Sequence, residues 1–240
     1  MILQQYNIHF VHEVDSTNRY LKDLLRTQNL VSPFAVFAGK QTAGRGQREK
    51  TWESEPFANM LCSFLVKNVG TVSDLSKLNN AAVLAVVQAL QGLGIKNIQV
   101  KWPNDVYIND LKIAGILIEN TFSNGVIINA IVGIGLNVNQ LNFNGIEATS
   151  IRRELHNKTE VTDIMHSVYD AFYHFLIQSS SILLMGVNEV LYKKNENVTF
   201  ATKDRSEVYT VRAIMANGNL KVSQNGNSLE IEHHITKWIK

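Results

Sequence analysis

The stretch IQVKWPNDVYINDLKIAGILIENTFSNGVIINAIVGIGLNV, residues 98–138, is a train of apolar, β-branched segments interrupted by short polar turns. IQVKW, DVYI, KIAGILIE and VIINAIVGIGLNV each have strand length and composition. Asn109-Asp110 and Ser123-Asn124-Gly125 have the chemistry of hairpin turns. Consecutive hairpins imply a largely antiparallel sheet. In KIAGILIE both alternating faces are apolar, which places that strand in the middle of the sheet.

Outward from this core the texture changes on both sides. Asp15, Ser16 and Thr17 are capping residue types, and Tyr20, Leu21, Leu24 and Leu25 mark one apolar face, so a helix is predicted from about Asn18 to Arg26. FAVFAG after Pro33 and NMLCSFLV after residue 58 read as buried strands. Between them, from Gly39 to Ala58, lies a long basic and glycine-containing loop, a type usually functional. Asp74 to about Leu93 is a helix with a stripe of Leu75, Leu78, Ala82, Leu84, Ala85 and Leu90, ended by Gly92 and Gly94. TEVTDIMHSVYDAFYHFLIQ and SILLMGVNEVLY are helical, with Thr159 or Thr162 as caps for the first. From Asn197 short strands recur with turn signals at Lys203-Asp204, Asn217-Gly218 and Asn225-Gly226, as in a small barrel. The expected division is 1–192 and 193–240: an α+β domain whose mixed, largely antiparallel sheet is packed with helices, and a small β-barrel.

Composition excludes several classes. Hydrophobic residues are 45% and charged residues 18% of the 240, a globular profile, and the net charge of +2 with scattered basic residues argues against a dedicated nucleic-acid binder. The lone cysteine, Cys62, has no disulfide partner in the chain, which fits a reducing compartment. No signal peptide is visible, and the most apolar segment, Ala81 to Ile95, is shorter than the roughly 20 residues that span a bilayer. The expectation is a cytoplasmic protein with no membrane partner.

Lys112 stands at the mouth of the KIAGILIE strand. By strict alternation it shares a face with Ala114, Ile116 and Ile118, while Ile113, Gly115 and Leu117 take the other. Either its stem snorkels along apolar surface, or the cation is set there to meet an anion; Gly115, a glycine inside a strand, favours close approach of a ligand. Lys101, Asn104, Asp105 and Lys112 fall on neighbouring strands and can converge, although Asn104-Asp105 after a proline also suits an ordinary turn. Asp105 has the chemistry to hold magnesium. In QTAGRGQREKTW, residues 41–52, Gly44 and Gly46 flank Arg45 as in an anion nest, with Arg45, Arg48 and Lys50 as fixed charges. Trp52 suits either stacking on a base or ordinary packing. Gly133, Gly135 and Asn137 bring backbone near a ligand or close a tightly packed strand end.

DSTN, AGRG…W, KWPNDVYINDLKIAGILIE and GIGLNV, in this order, resemble the motifs of the biotin–protein ligase family, from about residue 10 to the end of the chain. The resemblance implies a class II synthetase-like catalytic domain with an SH3-like C-terminal barrel. It implies an enzyme that joins biotin and ATP into biotinyl-5′-AMP and passes biotin to a lysine of a biotin carboxyl carrier protein, such as an acetyl-CoA carboxylase subunit. Carboxylate and phosphate repel by about 1 kcal/mol at 4 Å in water and about 4 kcal/mol in a partly dry site, so cations must be built in.

By the same resemblance the catalytic residues are Lys112, Asp105 and Arg45. Biotin is expected to meet Ser16, Thr17, Asn18 and Gln41 at its ureido ring, and Gly44, Arg45, Gly46, Gln47, Lys112 and Gly115 elsewhere. Arg48, Lys50, Trp52, Lys101, Asn104 and Asn137 serve ATP or the adenylate, and Asp105 its Mg2+. Gln47, Glu49 and Lys50 stand where some members have arginine, glycine and arginine, so how tightly this loop holds the adenylate does not follow from the resemblance. Some members carry an N-terminal DNA-binding domain; the DSTN motif begins at residue 15, and the expectation is a ligase without DNA binding. The alternatives are a lipoate or octanoyl transferase of the same fold and a non-catalytic biotin sensor. The long strand Val126–Val138, if at a sheet edge, would pair with a second copy of the chain.

Overall fold

The computed structural model describes residues 7–47, 50–71, 74–124, 126–201, 206–232 and 237–239. Seven strands, β1 (Ile8–Val14), β2 (Phe34–Gln41), β3 (Met60–Gly70), β4 (Ile98–Lys101), β5 (Asp105–Ile108), β6 (Leu111–Ser123) and β7 (Val126–Leu136), form one sheet in the order β1-β2-β3-β7-β6-β5-β4. Among the described residues of this sheet only β1 and β2 pair in parallel; the other ladders are antiparallel. The hairpins expected at 109–110 and 123–125 are formed, with Asn109 and Asn124 in the left-handed conformation that asparagine tolerates. Gly125 and Lys203-Asp204 lie outside the described residues.

Alternation along β2 sorts its side chains to two faces. Ala35 and Phe37 join the main core beneath α2 (Asp74–Gly92), α4 (Val161–Leu176) and α5 (Ser180–Glu189), whereas Phe34 and Val36 pack with Leu65, Ile131 and Leu21 of α1 (Thr17–Thr27). α2 is buried over most of its circumference because it is sandwiched between the sheet and α4 and α5. Phe64, fully buried, sits among the rings of Tyr169, Phe172 and Tyr173; burying such a side chain contributes roughly 1.5–3 kcal/mol. The α1 face of the sheet is left open toward the ends of β5, β6 and β7, and the site lies there.

Five antiparallel strands follow: β8 (Asn197–Ala201), β9 (Ser206–Ile214), β10 (Leu220–Gln224), β11 (Asn227–Ile231) and β12 (Lys237–Ile239), in the order β11-β10-β9-β8-β12. Their buried residues, among them Phe200, Val211 and Leu220, belong to the same contiguous core as the large sheet. The junction expected near residue 192 is stitched to β4, since Val100 N–H donates to Val190 O at 2.7 Å and Tyr192 N–H to Val100 O at 2.9 Å. Trp102 Nε1–H donates to Gly218 O at 2.8 Å, tying the KWPN turn to the β9–β10 turn.

Several expectations are corrected. Ser16 is the N-cap of α1 but its hydroxyl makes no capping bond. α4 starts after Glu160 rather than on a threonine cap. β1 and α3 (Ile151–Leu155, capped by Ser150) had no counterpart in the sequence reading. β7 is central, flanked by β3 and β6, so Val126–Val138 has no free edge through which to pair a second copy. The alternation assigned to Lys112 also fails, because the β5–β6 register shifts between Val106 and Tyr107 and pairs Lys112 with Tyr107 but Ala114 with Val106. That bulge brings the Lys112 ammonium to the face of Gly115. Among the described residues no helix is long and apolar enough to cross a membrane.

Candidate active site

A cavity of about 250 Å³ opens on the α1 face, bounded by the start of α1, the end of β2, the 44–52 segment and the ends of β5, β6 and β7. Its polar end is built at the α1 start, where Ser16, Thr17 and Asn18 are buried. Gln41 Oε1 accepts from the Thr17 N–H at 2.8 Å and from the Thr17 hydroxyl at 3.1 Å. Ser63 Oγ lies 2.7 Å from Thr17 Oγ1 and 2.6 Å from Asn18 Oδ1. Asn18 Nδ2 donates to Glu119 Oε2 at 2.8 Å. The DSTN segment and Gln41 therefore converge as expected, held by two residues, Ser63 and Glu119, that the sequence reading missed. Ser63 did carry a signal, as a lone hydroxyl inside the apolar run NMLCSFLV.

The middle of the cavity is a floor without side chains. Gly115 and Gly135 are cross-strand partners on β6 and β7, and the Trp52 indole lies across them. A Cβ on Gly135 would stand 2.5 Å from Trp52 Cε2, and one on Gly115 would stand 3.2 Å from Trp52 Cζ3. The indole N–H is buried without a hydrogen-bond partner.

At the far end the predicted cation and carboxylate meet. Lys112 Nζ pairs with Asp105 Oδ1 at 2.6 Å, each side chain about a quarter exposed, and Lys112 Nζ also stands 5.6 Å from the Trp52 ring. Lys101 Nζ sits over three rings, at 4.9 Å from Tyr107, 5.7 Å from Tyr192 and 5.5 Å from Trp238. Burial pushes both tyrosine phenols up, with Asp105 and Glu147 adding for Tyr107 and the hydrogen bond to Asp110 adding for Tyr192. Both therefore stay neutral and stabilise the lysine through their ring faces. Trp238 of β12 lines the cavity although it is far from every motif in sequence.

Residues 44–47 and 50–52 run antiparallel to each other: Trp52 N–H donates to Gly44 O at 2.9 Å and Gly46 N–H to Lys50 O at 2.7 Å. The Gly46 amide is thus occupied, and the anion nest expected around Arg45 is not open there. Arg45, Gly46, Gln47 and Lys50 line the cavity, with Arg45 Nη1 on Glu119 Oε1 at 3.0 Å; Arg48 lies outside the described residues. Gly44 supports rather than lines, since its Cβ would meet Trp52 O at 2.4 Å. Asn104 borders the cavity but is tied to β6, donating from Nδ2 to Ile116 O at 2.6 Å. Asn137, expected near the nucleotide, is buried outside the lining, with Nδ2 on Thr149 O at 3.0 Å. Gly133 and Gly135 of β7 line the cavity, whereas Asn137 falls beyond the strand's last ladder pair.

Asp105, expected to hold magnesium, lines the cavity beside Lys112. Among the described residues no group of three His, Cys, Asp or Glu side chains gathers. A metal would arrive with the phosphates of a nucleotide. Cys62 also borders the cavity, but burial pushes its thiol up, so it is no thiolate nucleophile at neutral pH.

Residues 10–137, more than half the chain, match the model of the biotin/lipoate A/B protein ligase family. The chain belongs to that family. Among curated relatives, the bifunctional ligase/repressor BirA of Escherichia coli is 37% identical over 125 residues, which are 52% of this chain and 38% of BirA. The biotin–[acetyl-CoA-carboxylase] ligase of Paracoccus denitrificans is 35% identical over 127 residues, 52% of this chain and 51% of that protein. The chain thus spans about two fifths to one half of these relatives' lengths. Across the whole fold, the biotin protein ligase of Aquifex aeolicus, solved with biotin and ATP, superposes with a TM-score of 0.82 at 24% identity, covering 98% of this chain and 99% of that one. As a biotin/lipoate ligase-family domain, the chain carries the Lys112–Asp105 pair, the glycine floor and the α1 start within the matched segment, and adds Trp238 from beyond it.

Proposed function

We propose that the protein is an ATP-dependent biotin–protein ligase, which activates biotin as biotinyl-5′-AMP and transfers it to a lysine of a biotin carboxyl carrier domain, such as that of a carboxylase subunit. The observation that carries this reading is one cavity with a dense hydrogen-bonding end at Thr17, Asn18 and Gln41 and a cationic end at Lys112, joined by a floor of two glycines. A ureido ring needs donors and acceptors but no charge; a carboxylate approaching a phosphate needs cations. The cavity offers both, in that order, along one axis.

In the first step a biotin carboxylate oxygen attacks the α-phosphorus of Mg–ATP and pyrophosphate leaves. Lys112 stabilises the charge that gathers between the two anions, and Asp105 holds its ammonium in place before they arrive. Lys101, over its three rings, is the second cation for the nucleotide. In the second step the carrier amine attacks the acyl carbon and AMP leaves, with the Arg45 segment and Trp52 covering the anhydride from water. The proposed architecture is a catalytic domain, residues 1–192, and a C-terminal SH3-like barrel, residues 193–240, that closes the nucleotide end through Trp238.

Pyrophosphate release that requires biotin, followed by label on an added carrier domain, is the expected result; release with lipoate instead would move the protein to the lipoate branch of its family. Neither release with clear biotin binding would make it a sensor. Trp238→Ala is expected to raise the KM for ATP roughly tenfold, since a cation–ring contact in a partly dry site is worth about 1–2 kcal/mol, with the KM for biotin little changed in the same assay.

A further inference from the structure

Glu119 stands where two of the cavity's polar groups meet. It follows the apolar run of β6, is about a quarter exposed, and accepts from Asn18 Nδ2 on Oε2 at 2.8 Å and from Arg45 Nη1 on Oε1 at 3.0 Å. Asn18 belongs to α1 and Arg45 to the segment after β2, so a single carboxylate bridges two elements that both line the cavity.

We propose that Glu119 is a positioning residue for the reaction, orienting the Asn18 amide and holding Arg45 over the cavity, so that occupancy at the Asn18 end is relayed to the basic segment. An ionised carboxylate only accepts, and it therefore selects the amino side of the Asn18 amide. That turns Asn18 Oδ1 the other way, to 2.6 Å from Ser63 Oγ and toward Gly133, where a Cβ would stand 2.4 Å from it. Arg45 is half exposed, and such a long side chain gives up rotamer freedom only when a partner holds it. The two bonds share one group, so a ligand that fixes Asn18 also fixes the carboxylate that Arg45 grips. The inference rests on the ligase reading and adds to it a residue that the recognised motifs do not single out.

The test uses Glu119→Gln, which keeps the shape but presents one acceptor and one donor. Either Asn18 Nδ2 or Arg45 then faces an amino group. On the order of a tenfold rise is expected in both the KM for biotin and the rate at which biotinyl-AMP escapes, because a hydrogen bond to a charged group is lost. The kcat of adenylation should stay within about threefold. Glu119→Asp, charged but shorter, should fall between wild type and Glu119→Gln. Added to Arg45→Ala, Glu119→Gln should speed escape no further. Unchanged KM and escape in a folded Glu119→Gln, or effects that multiply in the double variant, would overturn the proposal while the ligase reading stands. A wild-type protein that forms no adenylate would overturn both.

Discussion

Replacing Lys112 by methionine should lower biotin-dependent pyrophosphate release by roughly two to three orders of magnitude while leaving biotin binding at the Thr17 and Gln41 end nearly intact. Methionine matches the stem in length and removes only the ammonium, so the β6 bulge and its packing survive. What is lost is the charge 2.6 Å from Asp105, and with it the group that offsets repulsion between a carboxylate and a phosphate. Asp105 is then left without its counter-ion, and its carboxylate adds to the repulsion, which makes the loss larger than removal of one cation in open water would be. Binding measured by calorimetry and turnover measured by pyrophosphate should therefore separate. Full turnover in the variant would mean that Lys101 or Arg45, not Lys112, faces the reacting atoms.

The second large effect belongs to a residue with no functional group. Gly135→Val should lower adenylation roughly 10- to 100-fold, since forcing extra carbons into a packed contact costs about 1–3 kcal/mol. Gly135 lies on a central strand, paired with Leu61 on one side and Gly115 on the other, so the backbone has little room to retreat. The first carbon alone would stand 2.5 Å from the Trp52 indole, and the branch carries further into the same space. Trp52 must then leave the floor, taking the covering segment with it. Stability read by thermal melting should fall less than activity, because valine suits a strand and the space it invades is the cavity rather than the core. A variant with wild-type KM and kcat would show that the floor need not be bare.

These effects fall on residues of unequal legibility. The strands of the 98–138 region could be read directly, since continuous apolar runs with asparagine-containing turns leave few alternatives, and their hairpin order brought Lys101, Asp105 and Lys112 together as expected. Which way Lys112 points could not be read, because a bulge depends on the pairing of two strands and leaves no mark in either one. β1 escaped because it is an edge strand exposed along most of its length, so no alternation survives in its sequence. Glu119 reads as the polar end of a strand, and only the arrival of α1 and the Arg45 segment gives it partners. Trp238 stands 100 residues beyond the end of the nearest motif, and its place beside Lys101 is a product of how the C-terminal sheet folds back. Asn137, which lies outside the cavity lining, is the opposite case. It closes a glycine-rich motif, and proximity in sequence is not proximity in space.

The chain has three tryptophans, Trp52, Trp102 and Trp238, and each of them borders the cavity. Its tryptophan emission consequently has no background from elsewhere in the molecule. A nucleotide settling beside Trp238 and an acyl group displacing or trapping Trp52 would alter different emitters. Titrations watched by intrinsic fluorescence, with each indole replaced in turn, would thus resolve the order in which the two substrates arrive without attaching any label.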